Sequence, residues 1–328
     1  MKLDAHIRSG QLANPDAVVW ARESIIATGP AQGNRAIDVQ VWAGVSFRVY
    51  PDRGLDVGQA WFGGVPLAWI SGVGETGALE ALEGMAWGSA FGGGLLTTCG
   101  LRNVGMPSEG HGLHGTYSHL PADRVTVERW VADQDAGVEI CGVVVDQQDP
   151  APLRHERRLR TYAGVGRIEI DDVTTNLGDE ATAAPLLYHF NFGYPLWAGT
   201  AALEMPVVAT TPRDEESAVA VANWNRPPRL EAAPERVLEH DVAAIDGWAR
   251  ATLRNPDVGV ALTLRWDQAD LPRLNQWLDP NPGMAVLGIE PANCSTRGRG
   301  FDRAAGRLPT LDPGEQRSTR LVVEAACL

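Results

Sequence analysis

The stretch AIDVQVWAGVSFRVY, residues 36–50, decides the fold class of this 328-residue chain. In residues 36–42 and again in residues 45–50, apolar and polar side chains alternate with a period of two, which is typical of strands with one buried face. A short turn containing Gly44 separates the two runs. Two alternating runs joined in this way predict an antiparallel β-hairpin.

The same alternation recurs along the chain, where 36 glycines and 22 prolines supply the turns. Many short strands at regular spacing predict an all-β sandwich, with short helices or turns only at residues 77–87 and 272–278. Residues 211–235, rich in Pro, Arg and Glu, are interpreted as an exposed excursion. No shift in composition marks a boundary, so one domain spanning residues 1–328 is expected. Further strands are predicted at residues 24–28, 125–131, 137–145, 155–162, 167–175, 203–210, 249–254, 258–266, 284–289 and 318–324.

The composition limits the function classes. Hydrophobic residues make up 44% of the chain and charged residues 21%, which allows a large core and argues against overall disorder. The formal net charge of -13 repels phosphate backbones and anionic lipid, so neither nucleic acid nor a membrane is an expected partner. Four scattered cysteines without a CxxC spacing indicate reduced thiols rather than a disulfide framework. Without a secretory signal or an apolar run of membrane-spanning length, a cytoplasmic location is expected.

The stretch LLYHFNFGYP, residues 186–195, carries the first candidate for chemistry. Alternation places His189 and Asn191 on one face of a strand and the intervening aromatic side chains on the other. The aromatic face is expected to pack. The polar face meets either a hydrogen-bonding partner in the core or a ligand, and this stretch alone does not separate the two interpretations.

Two glycine-rich stretches also place polar residues near strand ends. In DRGLDVG, residues 52–58, the fork of N–H groups on Arg53 suits hydroxyls or carboxylates, or else Arg53 and Asp56 pair and hold the turn. The run FGGGLLTTCGLRNVG, residues 91–105, lacks the GxxxxGK[ST] pattern of a phosphate loop. Close approach between strand backbones is the expected reason for its glycines.

Histidines and one glutamate complete the candidates. The run HGLHGTYSH, residues 111–119, contains three histidines, which could bind a metal. No carboxylate stands at a usual ligand spacing, and neutral histidines that hydrogen-bond a polyol fit equally well. Glu290 ends an apolar strand and is followed by Pro291. A carboxylate in an apolar setting is costly, so it is expected to be either paired in a salt bridge or functional.

Ordered matches to a known family connect these stretches. The chain resembles the galactose mutarotase-like superfamily and, more closely, its aldose 1-epimerase-like (DUF4432) branch. The resemblance implies a β-supersandwich of antiparallel sheets, with a sugar site in a cleft on one sheet. It is carried by RGLD at 53–56, GGVPLAW at 63–69, the glycine-rich run at 93–105, GLHG at 112–115, LYHFNFGYPL at 187–196, LP at 271–272, QW at 276–277 and GIEPANC at 288–294.

The resemblance also implies roles for individual residues. The family has one histidine in an HG loop, a second on a strand as H-x-F-N, and a catalytic glutamate in a G-x-x-E-P-like strand, which fall here on His114, His189 and Glu290. The branch commonly has an acidic residue where Arg102 stands, which suggests a substrate of different charge. The expected sugar-binding residues are His114, Arg53, Asn191, Gln276, Asp246, Arg102 and His111.

The residue types suit mutarotation, the interconversion of sugar anomers by an aldose 1-epimerase. Ring opening needs a base for the proton of the anomeric hydroxyl and an acid for the ring oxygen. The ordinary pKa is about 4.3 for Glu and about 6.5 for His. Glu290 is therefore expected to be the ionised base and His189 the protonated acid, without a metal or another cofactor.

Two other functions remain open at this point. The same scaffold could perform epimerisation, isomerisation or elimination on a keto-sugar, with a metal bound by His111, His114, His189 and Glu290. It could also bind a sugar without catalysis, because one fold hosts several functions. The expected partner in each case is a small-molecule sugar. A sheet of this size can also leave an edge free for a homodimer.

Overall fold

The structure, a computed structural model, describes residues 3–77, 83–132, 136–148 and 150–328. Two large antiparallel sheets dominate it, so the predicted all-β class with few short helices is confirmed. The strands are β1 (Val19–Ile25), β2 (Arg35–Val41), β3 (Val45–Tyr50), β4 (Asp56–Phe62), β5 (Val65–Pro66), β6 (Leu96–Gly100), β7 (Asp123–Val131), β8 (Ala136–Asp146), β9 (Leu153–Tyr162), β10 (Val165–Asn176), β11 (Thr182–Ala183), β12 (Leu186–Phe192), β13 (Ala202–Glu204), β14 (Val207–Pro212), β15 (Arg236–Val242), β16 (Trp248–Asn255), β17 (Val260–Asp267), β18 (Arg273–Asp279), β19 (Val286–Ala292), β20 (Thr310–Leu311) and β21 (Gln316–Cys327). The α-helices are α1 (Leu3–Arg8), α2 (Glu215–Ala218) and α3 (Arg299–Ala304).

The strand order shows how the two sheets are built from the described residues. The larger sheet runs β1-β2-β3-β4-β6-β12-β19-β18-β15-β14, with β5 beside β4. The smaller sheet runs β13-β16-β17-β21-β10-β9-β8-β7, and β11 pairs with β20. The hairpin predicted from residues 36–50 is β2–β3, in which Val39 pairs with Phe47.

The side chains of β12 divide between the two faces of the larger sheet. Tyr188, Phe190 and Phe192 are fully buried in the main core, which side chains from both sheets fill. Leu187 belongs instead to a smaller apolar cluster on the outer face, and His189 faces a cavity there. The predicted alternation on this strand is therefore confirmed, and it is what brings His189 to the outer face.

A charged cluster joins the two sheets behind β12. Arg157 on β9 is fully buried, and its guanidinium donates to Asp56 Oδ1 at 2.7 Å and to Asp172 Oδ2 at 2.7 Å. Asp172 also accepts from the His155 ring at 2.9 Å and from the Tyr188 hydroxyl at 2.7 Å. Although burial opposes it, the charges of Arg157 and His155 hold the pKa of the Asp172 carboxyl well below its usual range.

The structure corrects one prediction of a helix. Residues 272–278 do not form a helix or turn, because most of them belong to β18 (Arg273–Asp279). Leu274 and Leu278 are four positions apart, a spacing that fits one face of a helix and one face of a strand equally. In the described part of the chain, no helix is both long and apolar enough to cross a membrane.

Two other predictions are met only in part. The predicted strand at residues 203–210 is divided into β13 and β14. Pro206 lies between them, and a proline has no N–H to donate to a strand pair. Of the helix or turn predicted at residues 77–87, residues 78–82 lie outside the described residues, and a 3-10 turn follows at Ala86–Ala90. The single domain spanning residues 1–328 stays a prediction.

Candidate active site

A cavity of about 260 Å³ opens on the outer face of the larger sheet. Strands β12, β18 and β19 contribute its floor, and the loops before β6, after β6 and between β18 and β19 contribute its walls. This volume lies just below the ~300 Å³ at which typical small-molecule sites begin, so a ligand held inside the cavity must be small.

A histidine and a glutamate meet at the floor of this cavity. The register of β12 and β19, in which Phe190 pairs with Ile289, sets His189 directly opposite Glu290. Nε2 of His189 lies 3.2 Å from Oε1 of Glu290, and both side chains are buried. Within the described structure, that oxygen has no well-aligned hydrogen-bond partner. The two groups are therefore adjacent, and both can reach neighbouring atoms of one ligand bound above them.

Gly288 leaves the space in which this pair sits. A Cβ at this position would lie 2.6 Å from Glu290 Oε1, 3.0 Å from His189 Cε1 and 3.0 Å from Trp277 Cβ. The shortest of these distances is below any normal contact, so a side chain here would displace the pair. The absence of a side chain at Gly288 therefore allows the side chains of the pair to lie close to the backbone of this strand.

Aromatic rings surround the two imidazoles of the cavity. The Phe91 ring centroid lies 5.3 Å from that of His189, and the Trp277 ring meets His189 edge-on at 5.5 Å. The Trp87 ring lies 4.7 Å from His114. These apolar rings exclude water, which disfavours charge on the groups they cover.

Burial favours the uncharged forms of the catalytic candidates. Burial and the negative charge of Glu235 raise the pKa of Glu290 to about 8, although Arg213 opposes the shift. Burial and the neighbouring His114 hold the pKa of His189 well below its ordinary value. Near neutral pH the pair therefore has a protonated Glu290 and a neutral His189. These states are the reverse of those expected from ordinary pKa values, because the loss of water penalises each charged form.

Neighbouring atoms set which ring nitrogen carries the proton. The Asn191 side chain favours a proton on His189, and Asn191 Oδ1 and His189 Nδ1 are both buried without a well-aligned hydrogen-bond partner among the described residues. An amide oxygen can only accept, so a proton on Nδ1 suits this neighbour and leaves Nε2, which faces Glu290, as the acceptor. On His114, Nδ1 accepts from the Gly105 N–H at 3.3 Å, which leaves Nε2 as the donor. Burial and the charge of Arg213 lower the pKa of His114 to about 4, so this ring is neutral.

Arg213 and Glu235 line the cavity although the sequence analysis did not identify them. Arg213 Nη2 donates to Glu235 Oε1 at 3.1 Å, and Glu235 Oε2 accepts from Trp277 Nε1 at 2.9 Å. Both charged residues come from the segment interpreted as an exposed excursion. Their position in that polar segment was the only sequence signal that could have identified them as cavity residues. Their approach to Glu290 depends on how distant parts of the chain fold together.

Of the predicted site residues, only His114, His189 and Glu290 line the cavity. Asn191 is fully buried beneath it and donates to the Gly94 carbonyl at 3.0 Å. Gln276 faces the core side of β18, where its Oε1 lies 2.8 Å from His240 Nε2. Neither Asn191 nor Gln276 lines the cavity, and their direct contact with a sugar stays a prediction.

Two predicted arginines are occupied by protein groups. Arg53 donates to the Ser118 carbonyl at 2.6 Å and lines a separate cavity of about 30 Å³, which has room for a water but not for a sugar. Arg102 pairs with Asp146 at 3.2 Å and donates to the Ala151 carbonyl at 3.0 Å. Neither arginine reaches the cavity. Arg102 is paired inside the protein, and the suggestion that it reflects a different substrate charge stays a prediction.

The last two predicted residues also lie outside the cavity. Nε2 of His111 lies 3.0 Å from Nη1 of Arg299, so the metal ligands considered in the alternative function are not assembled. Asp246 is exposed in the turn between β15 and β16, with φ at 51°. Across residues 3–77, 83–132, 136–148 and 150–328, no three His, Cys, Asp or Glu side chains are grouped to hold a metal ion.

Known proteins share the fold of this chain. The model of a family described as a domain of unknown function (DUF4432) matches residues 31–325. Among solved structures, the chain is similar to a candidate aldose 1-epimerase from Klebsiella pneumoniae subsp. pneumoniae MGH 78578, with a TM-score of 0.85 and 22% identity over 94% of this chain and 88% of that one. None of the curated proteins matches the chain.

More distant structures have the same architecture. A galactose mutarotase-like protein from Clostridium acetobutylicum has a TM-score of 0.63 and 14% identity over 95% of this chain and 100% of that one. A candidate mutarotase from Salmonella typhimurium has a TM-score of 0.61 and 11% identity over 95% of each chain. At these identities the likeness shows the fold alone. The predicted galactose mutarotase-like β-supersandwich is thereby confirmed.

Proposed function

The chain belongs to the DUF4432 family, and from its fold and the geometry of its cavity we propose that it is an aldose 1-epimerase, which interconverts the anomers of a reducing sugar. One observation carries the proposal. Glu290 and His189 lie 3.2 Å apart at the floor of a cavity of small-ligand size, where burial raises the pKa of Glu290 to about 8 and lowers that of His189, which favours Glu290 as the acid and His189 as the base. The mutarotase-like proteins of the same fold support it.

The pair can open a pyranose ring with every proton accounted for. His189 Nε2 takes the proton of the anomeric hydroxyl, Glu290 gives its proton to the ring oxygen, and the bond between C1 and that oxygen breaks. The products are an open-chain aldehyde and an ion pair of His189 and Glu290, whose opposite charges stabilise each other because both side chains are buried. After rotation about the C1–C2 bond, the same two protons return and close the ring on the other face.

Other residues of the cavity would hold the sugar in place. The Nε2–H of His114 and the charged groups of Arg213 and Glu235 would pair with ring hydroxyls. The indole faces of Trp87 and Trp277 would cover the apolar C–H face of the ring.

The proposal is tested by NMR exchange between the two anomers of each sugar in a panel of reducing aldoses. We expect at least one aldose to exchange faster with the wild-type protein than in buffer, and His189→Asn to remove the acceleration. If no aldose of the panel exchanges faster with wild type than with His189→Asn, the isomerase proposal fails.

The pH dependence of the reaction should follow the two groups of the pair. As pH rises through about 8, Glu290 loses its proton and the acid is lost, so kcat/KM should fall about tenfold for each further pH unit. On the acid side kcat/KM should stay constant through pH 6.5, because the pKa of His189 lies well below its ordinary value. Initial anomerisation rates at subsaturating sugar give this profile. A decrease that begins between pH 7 and pH 6 would contradict the neutral state of His189.

Gly288→Ala should reduce kcat/KM by 100-fold or more while the protein stays folded. The added methyl group would occupy the space of Glu290 Oε1 and displace the pair, and a shift of ~1 Å can cost ~10²-fold. Gly72→Ala is the matched control, because a Cβ at Gly72 meets no atom within 4 Å. Anomer exchange and thermal melts of both variants check this. Full activity of Gly288→Ala would show that the pair does not need its observed position.

A further inference from the structure

Methionines form the rim of the catalytic cavity. The chain has five methionines, and Met85, Met106 and Met284 all line this cavity. They come from three separate loops, before the Ala86–Ala90 turn, after β6 and between β18 and β19. Three flexible apolar side chains from distant parts of the chain therefore meet at one place.

The positions of these side chains distinguish them from core packing. The exposed fraction of Met85 is 57% and that of Met106 is 41%, whereas Met284 is partly buried against the apolar cluster of the outer face. Exposed apolar side chains grouped at a cavity mouth typically mark a binding surface. Methionine is suited to such a surface because its unbranched thioether adapts to apolar ligands of different shapes.

An unsubstituted sugar does not account for this rim. A pyranose presents hydroxyls around its edge, and these need hydrogen-bonding partners, which the cavity offers at Arg213 and Glu235. Methionine side chains offer almost none. With the anomeric carbon held above His189 and Glu290 at the floor, the part of the substrate farthest from that carbon would lie at the rim.

We propose that the methionine rim, defined as Met85, Met106 and Met284, is a subsite for an apolar ether substituent carried by the sugar at a position remote from its anomeric carbon. The inference rests on the proposed function for the placement of the sugar ring. The substrate class is then a reducing aldose with an O-alkyl or O-aryl group. The ring occupies the cavity of about 260 Å³, and the substituent extends over the exposed thioethers.

Binding of matched sugars tests the subsite. The probes are glucose and its 3-, 4- and 6-O-benzyl ethers, each with a free anomeric hydroxyl, titrated by calorimetry. At least one ether should bind tenfold or more tightly than glucose. The double variant Met85→Gln/Met106→Gln should lose this gain and keep the affinity for glucose. Met205→Gln is the matched control, because Met205 packs against the main core and does not line the cavity.

A second measurement does not depend on catalysis. In protein labelled with ¹³C at the methionine methyl groups, the ether should shift the signals of the three rim methionines and leave Met205 unchanged. Equal affinity for glucose and all three ethers, absence of binding by every ether, or a gain that survives in the double variant would each overturn the subsite. If the ether binds with shifted rim methyl groups but no sugar is anomerised, the isomerase proposal fails and the subsite stands.

Discussion

Replacing Glu290 with glutamine should abolish the acceleration of anomer exchange, with a loss in kcat/KM of ~10²–10⁴-fold. Glutamine keeps the shape of the side chain but has no proton that it can give to a ring oxygen. Glu239→Gln is the matched control, because Glu239 lies on the same sheet and pairs with Arg273 outside the cavity. Anomer exchange by NMR measures both variants, and retained acceleration in Glu290→Gln would remove this residue from the chemistry.

The same substitution should make the protein more stable, which separates lost catalysis from lost folding. The pKa of Glu290 is raised from 4.5 in the unfolded chain to about 8 in the folded one. The contribution of Glu290 to the free energy of unfolding is therefore most favourable below pH 4.5 and is lost as pH rises towards 8. At pH 7 the neutral glutamine avoids this cost, and the free energy of unfolding should increase by up to about 3 kcal/mol. Denaturant titrations at pH 5 and pH 8 should show the larger gain at pH 8.

Arg157→Met should destabilise the protein by ~3–5 kcal/mol, the range for a buried ion pair that loses one partner. The fully buried guanidinium pairs with Asp56 and Asp172, and its loss leaves Asp56 without a cation and Asp172 with only the His155 ring. Chemical denaturation measures the effect.

Arg158→Met provides the matched control on the same strand. Arg158 is 43% exposed along its side chain and pairs with Asp171 at 2.9 Å, so its loss should cost less than about 1 kcal/mol. The deficit of Arg157→Met should also be smaller at pH 5 than at pH 8, because buried carboxylates without a cation take up protons at higher pH. Equal losses of unfolding free energy in the two variants would show that the Arg157 cluster does not stabilise the packing of the two sheets.

The strands could be predicted because their pattern is local. A period of two along β12 is enough to place Tyr188 and Phe190 in the core and His189 on the other face. The prediction failed at residues 272–278, where the spacing of Leu274 and Leu278 fits a helix as well as a strand. Hydrogen bonds to β15 and β19, which no local pattern reveals, make this segment a strand.

Three residues of the candidate site could be predicted, and the others could not. His114, His189 and Glu290 stand in motifs that the family resemblance identifies, and the structure brings them to one cavity. Arg53 and Arg102 have the right chemistry for a sugar, but each is occupied by protein groups that are distant in sequence. Residue type alone cannot show whether a charged group is free for a ligand.

Local alternation was enough to predict the all-β class and the two faces of β12, and motifs that resemble the family identified His114, His189 and Glu290, which line the cavity. The tertiary structure alone decided the ionisation of the pair, the pairing of Arg213 with Glu235 and the methionine rim. Each of these depends on which distant segments meet and on how much water they exclude. Desolvation and contact across the sheet therefore decided the chemistry that Glu290 and His189 can perform.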